Sequence, residues 1–330
     1  MTTGAKTVLW RSAKVVLALT VAISIAVTIS KHRSELSAQL GQLHFEPQPL
    51  GAALIVAVIY RLLNASAWGL SLRALRVSLP VLPGVRLWLV SETMRWLPGS
   101  VWSYVSRVCA ARQAGIDPLR ASLSLSLELL LTIAAWTLTA AGGFWLSGST
   151  SRMWGFVGSP TWPLILGLAG AALGGALGAW IFVRSNLLAR LPQKVQGLVN
   201  DMRALLQTPP RADHCAAALV FYVALCVLNG INFWLVLRAL NPLPVPLAAI
   251  VGINAIGWLL GFFAFLAPGG LGVREASIAG LLATLYPLPI AMGGAVVWRV
   301  LQIVSELLCL LLCLVPAVPS TTPVATGETA

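Results

Sequence analysis

Long apolar runs separated by short polar stretches dominate the chain. Six of these runs approach or exceed the roughly 20 apolar residues that a helix needs to cross a bilayer. They lie at about residues 8–29, 50–72, 121–146, 162–183, 215–237 and 289–315. Each run predicts a full transmembrane helix, and together they indicate an all-α polytopic membrane protein.

Two further segments, about 84–112 and 245–285, are apolar but are interrupted by Pro-Gly steps and by charged residues. Each predicts a pair of short helices, which either re-enter on one side of the membrane or cross it as two short spans. The predicted helix breaks are Pro98 and Gly99 in the first segment and Pro268, Gly269, Gly270 and Gly272 in the second.

The two broken segments resemble each other. The stretch "RWLPGSVWSYVSR" (95–107) and the stretch "AFLAPGGLGVREA" (264–276) both place an arginine-bearing helix after a Pro-Gly break. Broken helices at corresponding places of two inverted halves point to the binding site of a transporter. We therefore expect one membrane domain over 1–316, built as an inverted pseudo-repeat of about 1–148 and 160–316.

Two other segments have a different character. Residues 187–207 place apolar side chains at three- and four-residue steps opposite a basic face, which predicts an amphipathic helix on the membrane surface. Residues 317–330 are small, polar and proline-containing, so this tail is predicted to be disordered.

The distribution of basic residues predicts the orientation. With six full spans and two broken segments, thirteen Lys and Arg residues fall on one side and four on the other. Basic loops stay in the cytoplasm. We therefore expect a multi-pass protein of the cytoplasmic (inner) membrane, with both termini cytoplasmic.

Composition excludes several classes of protein. The chain is 58% hydrophobic and 10% charged, whereas soluble domains carry about 25% charged residues. Its net charge of +12 is spread over short loops rather than gathered in a basic block, so we expect no nucleic-acid partner. No nucleotide-binding loop, metal-ligand motif or catalytic triad occurs, so we predict no cofactor, no metal and no enzymatic activity.

Charged residues inside the predicted membrane region are the candidates for function. An arginine at mid-membrane costs roughly 2.5–3.5 kcal/mol, so it needs a partner or water. The intramembrane arginines are Arg61, Arg95, Arg107, Arg274 and Arg299, and the candidate counter-charges are Glu92, Glu128, Glu275 and Glu306.

These charges have two readings. Ion pairs that lock helices together are one, and we weigh this equally with function for Arg61 and Glu306. Arg274 and Glu275 are adjacent, so on a helix they point about 100° apart and need different partners. The functional reading assigns an anionic head group to the arginines, since a guanidinium donates two parallel hydrogen bonds to phosphate. The arginines assigned to it are Arg274, Arg107, Arg299 and Arg95.

The stretches "LAPGGLGVREASIAGLLA" and "VVWRVLQIVSELL" are similar to the flippase-like integral-membrane region of lysylphosphatidylglycerol synthases. "RWLPGSVWSYVSRVCAARQAGI" resembles the earlier half of the same family, so the likeness covers nearly the whole chain. Members commonly carry Glu-Arg and a later Asp where this chain has "LELLLTIAAW". Here Glu128 matches, but Leu129 and Thr132 differ. The soluble aminoacyl-transferase domain is not expected, which suggests a stand-alone member.

The resemblance implies that the protein binds or translocates an anionic or polar-headed lipid. The lipid classes it suggests are a phospholipid and a polyisoprenyl-phosphate-linked glycolipid. In this reading Glu275, Glu128 and Glu92 couple transport to a proton or orient the arginines by ion pairing.

The alternative function is a non-transporting membrane scaffold or accessory subunit of a cell-envelope lipid or glycan enzyme. Such a scaffold would not need a buried arginine for its function. The candidate partners are therefore a membrane lipid, an envelope-biosynthesis enzyme and a second copy of the chain.

Overall fold

The computed structural model describes residues 45–96, 102–148, 209–240, 244, 246–264, 270 and 272–314. Several predicted features lie outside these residues. They are the spans at 8–29 and 162–183, the surface helix at 187–207, the tail at 317–330, and the helix-break residues Pro98, Gly99, Pro268 and Gly269.

The described part of the first half forms four α-helices and one 3-10 turn. They are α1 (Pro47–Ala74), α2 (Val81–Glu92), the 3-10 turn (Thr93–Trp96), α3 (Trp102–Gln113) and α4 (Pro118–Leu146). Both long helices begin with proline, which is tolerated in the first turn because that N–H has no helical partner. Asp117 caps α4 by accepting the backbone N–H of Arg120 at 2.9 Å.

The second half repeats this order of long, short, short and long helices. It consists of α5 (Ala212–Leu240), α6 (Leu247–Phe263), α7 (Val273–Leu282) and α8 (Leu288–Leu314). The predicted breaks therefore fall between α2 and α3 and between α6 and α7. The four short helices have 12, 12, 17 and 10 residues, and all are shorter than the roughly 20 residues of a full span.

The protein is an all-α polytopic membrane protein. By length and apolar composition, four of the described helices can cross a bilayer: α1, α4, α5 and α8. They match four of the six predicted spans to within three residues at each end.

The first helices of the two halves run in opposite directions along each other. The backbone N–H of Glu46, before α1, donates to the carbonyl of Ala239 near the end of α5 at 2.9 Å. At the other end, the N–H of Arg211 donates to the carbonyl of Ala74 at 2.9 Å. Since α1 and α5 hold the same place in the repeated order, their antiparallel packing agrees with the inverted pseudo-repeat.

Glycine allows α6 to approach its neighbours closely. A Cβ added at Gly143 of α4 would lie 2.7 Å from the carbonyl oxygen of Ala248 and 2.7 Å from the nitrogen of Gly252. Such contacts between backbones are typical of helix packing in lipid, where the hydrophobic effect does not drive helices together. The crossing of α4 and α6 therefore joins the two halves.

The last helix, α8, buries its polar side chains in the helical assembly and exposes large apolar side chains on its other face. On α8, Gln302, Ser305 and Glu306 are buried. The exposed apolar residues of the same helix recur on its other face: Met292, Val296, Val300, Val304, Leu307 and Leu311. This pattern, polar inside and apolar outside, is expected for a helix that faces lipid.

The contact between α4 and α6 predicts that alanine lowers the stability of the protein at Gly143 but not at the adjacent Gly142. Gly143→Ala should lower stability by about 1–3 kcal/mol, because a methyl group there meets backbone atoms that cannot move aside. Gly142→Ala is the matched control, since a Cβ there has no atom within 4 Å. Thermal unfolding of the purified protein in detergent measures both. Equal midpoints for the two variants would contradict the close crossing.

Candidate functional site

A cavity of about 650 Å³ lies between the broken helix pairs of the two halves. Helices α3 and α4 form one wall and α6 forms the other. Arg274 of α7 and Arg299 of α8 reach it from the second half, and Glu92 and Arg95 reach it from the first. The predicted broken segments therefore meet at one site.

The walls of this cavity are mainly apolar and one end is charged. The apolar contributors are Val105, Val108, Leu125, Leu129, Trp258 and Phe262. The charged contributors are Glu92, Arg95, Arg274 and Arg299. An amphiphile fits such a space, with its chains along the apolar walls and its head at the arginines.

Two glycines shape the backbone that leads to Arg274. Gly270 has φ 71° and Gly272 has φ 83°, a left-handed conformation that favours glycine. A Cβ at Gly270 would also lie 2.7 Å from the carbonyl oxygen of Gly261 on α6. Both residues were predicted to break the helix, and the chain turns here into α7.

Arg274 and Glu275 serve different neighbours, as their positions on a helix predict. One oxygen of Glu275, Oε2, accepts the backbone N–H of Gly272 at 2.7 Å. Its other oxygen, Oε1, lies 3.2 Å from Nε of Arg299 on α8. Glu275 therefore holds the start of α7 against α8.

Arg274 is placed differently from the other intramembrane arginines. The Arg274 side chain packs against Gly261. A Cβ added at Gly261 would lie 2.9 Å from the Cβ of Arg274. Among the described residues, no carboxylate lies within ion-pair distance of its guanidinium, and its Nε has no hydrogen-bond partner. Arg274 therefore lines the cavity as a cation that forms no ion pair with a carboxylate of the described residues.

Arg107 binds two glutamates of the first half, Glu92 and Glu128. It is 2% exposed. Its Nη1 lies 2.8 Å from Glu128 and its Nη2 lies 3.1 Å from Glu92, while Nε donates to Ser91 at 3.1 Å. This guanidinium therefore uses each of its three nitrogens on α2 and α4.

Aromatic rings complete the surroundings of Arg107. The guanidinium carbon lies 4.9 Å from the ring centre of Trp88 and 5.7 Å from that of Trp68. The indole nitrogen of Trp88 donates to Glu128 at 3.1 Å. Ring faces and hydrogen bonds therefore compensate the charge of the buried Arg107 guanidinium.

A second network joins α1, α8 and the 3-10 turn. Arg61 lies 3.5 Å from Glu306 and donates to Ser305 at 2.8 Å and to the carbonyl of Gln302 at 2.7 Å. Arg95 pairs with the same glutamate and with Glu92, the latter at 3.2 Å. The ion-pair reading of Arg61 and Glu306 is therefore the one that the structure supports.

A smaller inner cavity of about 130 Å³ extends the site. Glu92, Arg95, Tyr104, Trp258 and Arg274 are among the residues that line both cavities, so they form the boundary between them. The other polar residues that line the inner cavity are Tyr60, Arg61, Asn64, Arg107, Glu128, Thr132, Tyr222, Asn229 and Gln302. The inner cavity is thus far more polar than the outer one.

Three stacked rings extend along both cavities. Trp136 and Trp258 stack with centroids 5.0 Å apart, and Trp258 and Phe262 stack at 5.2 Å. Trp136 lines the inner cavity and Phe262 lines the outer one. Stacking fixes the position of Trp258 at the boundary.

Sequence reasoning placed Glu306 only among candidate counter-charges and did not single out Gln302 or Trp258. Arg299, Gln302 and Glu306 follow at three- and four-residue steps, which places them on one face of α8. That spacing could have identified Gln302 and Glu306 as neighbours of Arg299 at the site. Leu129 and Thr132, the two positions at which this chain departs from the Glu-Arg and Asp pattern described above, line the inner cavity.

The Arg107 network predicts a large loss of stability on neutralising one partner. Glu128→Gln should cost about 3–5 kcal/mol, because it leaves a buried arginine with reduced compensation. The matched control is Glu46→Gln, since Glu46 is exposed and makes no side-chain cap. Thermal unfolding in detergent measures both variants. An unfolding midpoint for Glu128→Gln equal to the control would show that the network contributes little.

Comparison with known proteins agrees with this architecture. Residues 8–309 match the model of the family described as lysylphosphatidylglycerol synthase TM region. No curated protein matches the chain. The matched family region is a membrane region without a catalytic domain. Since the match covers most of the 330 residues, the chain belongs to the family of the lysylphosphatidylglycerol synthase TM region.

Proposed function

We propose that the protein binds an anionic or polar-headed lipid in the outer cavity and moves it across the cytoplasmic membrane. The observation that carries this proposal is Arg274, a cavity-lining arginine with no compensating carboxylate among the described residues. Arg274 is half-buried. A charge that is partly removed from water gains from an ionic partner, and a lipid phosphate supplies one. Membership of the family supports the link to lipid handling.

The division of roles among the arginines follows from their contacts. Arg274 binds phosphate directly, and Arg299 and Arg95 line the same end of the cavity. Arg107 is assigned the role of holding Glu92 and Glu128, because each of its nitrogens is already used. The proposed coupling residues are the glutamates that hold these arginines: Glu275, Glu128 and Glu92.

The position of the cavity supports movement rather than binding alone. It lies between a broken helix pair of each half, and relative motion of two inverted halves about such a site exposes it to alternate sides. The short helices and their glycine-rich connections are the elements that move in this proposal. Both termini are proposed to face the cytoplasm, as the basic loops predict.

The proposal is tested by neutralising Arg274. In proteoliposomes, Arg274→Gln should lower the rate of translocation of a fluorescent phosphatidylglycerol by about tenfold or more, since removing a charged hydrogen bond costs roughly 1.5–3 kcal/mol. Quenching of the outer-leaflet fluorophore measures the rate. The matched control is Arg120→Gln, because Arg120 is exposed at the start of α4.

The control separates the two function classes. Arg120→Gln should translocate lipid at the wild-type rate. If Arg274→Gln does the same, the lipid-transport proposal fails, and the scaffold alternative gains support. Thermal unfolding of each variant confirms that a lower rate does not come from loss of fold.

A further inference from the structure

A groove of about 340 Å³ lies between α1 and α2, apart from the two cavities described above. Its walls come from the C-terminal half of α1, from the loop and first turn that lead into α2, and from Phe221 of α5. None of the residues that line it lines the outer or the inner cavity. The groove is therefore a separate feature of the molecule.

The walls of this groove are mainly apolar. The large apolar side chains are those of Leu70, Leu79, Val85 and Phe221. Gly69 lies in the α1 wall, and a Cβ added there would have no described atom within 4 Å. Val81, in the α2 wall, is 60% exposed. An exposed apolar groove beside a membrane-spanning helix is a surface on which an acyl chain of the bilayer can lie.

One end of the groove is basic. Arg73, in the last turn of α1, is the charged residue that lines it, and no described carboxylate forms an ion pair with this exposed side chain. The backbone N–H of Arg76 donates to the carbonyl of Arg73 at 2.9 Å. The N–H of Arg211 donates to Ala74 at 2.9 Å, and its side chain pairs with Asp213 at 2.9 Å. Three arginines and one carboxylate therefore meet at this end.

The backbone of Arg76 is unusual. Its φ is 59°, and it is the one non-glycine residue with a left-handed backbone among the described residues. The N–H of Val77 donates to the carbonyl of Leu72 at 3.0 Å, so Arg76 occupies the position after a helix end that most often holds glycine. An arginine at such an unfavourable backbone position points to a use of its side chain.

A lipid with an anionic head matches both parts of the groove. An acyl chain lies along the apolar walls, and guanidinium groups at the end of α1 bind phosphate through charge-assisted hydrogen bonds. Helix α2 begins at the same end with Val81, so the positive end of its dipole adds to the attraction. A zwitterionic head would bring its own ammonium group to this basic end. Charge complementarity therefore favours an anionic lipid.

From these observations we propose a second lipid site, in which an anionic phospholipid of the surrounding leaflet docks between α1 and α2 with its phosphate at Arg73 and Arg76. The basic loops predict that this leaflet is the cytoplasmic one. The bound lipid joins α1 to α2, whose last residue, Glu92, belongs to the charged network of the central site. This inference does not depend on the proposed function, because it involves neither Arg274 nor the central cavities.

The first test removes the charge. Native mass spectrometry of the delipidated full-length protein measures the binding of dioleoyl phosphatidylglycerol and dioleoyl phosphatidylethanolamine. Arg73→Gln combined with Arg76→Gln should weaken phosphatidylglycerol binding at this site by about tenfold or more, since each arginine near the membrane surface attracts anionic lipid. Arg112→Gln combined with Arg120→Gln is the control, because it removes the same charge from two exposed positions outside the groove. The control should bind as the wild type does.

The second test fills the groove. Gly69→Leu should weaken phosphatidylglycerol binding by roughly fivefold or more, because an acyl chain no longer fits beside α1. It should not lower the unfolding temperature of the lipid-free protein, since the added side chain enters open space. Gly51→Leu is the matched control on the same helix, where a Cβ also has no atom within 4 Å and lies outside the groove.

The third test separates this site from the central one. The effect of the Arg73 and Arg76 double variant should be the same in the wild-type background and in the Arg274→Gln background. An effect that disappears in the Arg274→Gln background would place the lost lipid in the central cavity and overturn the inference. Failure of Arg274→Gln to slow translocation overturns the proposed function and leaves this second site standing.

Three other results would overturn the second site. Equal losses of binding in the double arginine variant and in its charge-matched control would show general attraction to positive charge. Equal binding of phosphatidylglycerol and phosphatidylethanolamine would remove the need for an anionic head. A lower unfolding temperature for lipid-free Gly69→Leu, with Gly51→Leu unchanged, would show that a segment of protein fills the groove in place of lipid.

Discussion

Compensation of arginine charge inside an apolar assembly is the constraint on which the rest of the structure depends. An arginine in lipid is tolerated only with partners, and this chain buries or half-buries several between its helices. Arg107 ties α2, α3 and α4 together through Glu92 and Glu128. Arg61 ties α1 to α8 through Glu306.

The same constraint separates the paired arginines from Arg274. Arg107 is fully used by carboxylates, a hydroxyl and aromatic faces. Arg274 projects from a short helix, after two glycines in left-handed conformation, into a cavity where no described carboxylate meets it. Most of the intramembrane arginines are therefore paired within the described residues, and Arg274 is the one for which we propose a lipid ligand.

Close helix packing is what brings these charges into one place. Gly261 allows the Arg274 side chain to lie directly against α6. Gly143 and Gly252 allow α4 and α6 to cross with backbones in contact. The site therefore depends on close contacts between helices of the two halves.

Much of the fold follows from local features of the sequence. Apolar length predicted α1 and α4 nearly to their ends, and the Gly270 and Gly272 break was predicted because glycine adopts left-handed conformations. The need of each buried arginine for a partner also followed from the cost of charge in lipid.

Which residue pairs with each arginine could not be predicted from local features of the sequence. Arg61 and Glu306 are far apart in sequence, and their contact depends on how α1 packs on α8. The assignment of Arg107 to the head group stays a prediction, and the sequence did not show that Glu92 and Glu128 both lie against its guanidinium. Spacing along one helix gives the face of a residue, but only tertiary packing decides what that face meets.

The measurement that tests the central claim most directly is an electron cryo-microscopy map of the protein in nanodiscs that contain phosphatidylglycerol. The account predicts phosphate density within hydrogen-bond distance of the Arg274 guanidinium, with acyl chains along Trp258 and Phe262. A map in which Arg274 pairs with a carboxylate of the protein, and lipid density is confined to the outer surface, would contradict it.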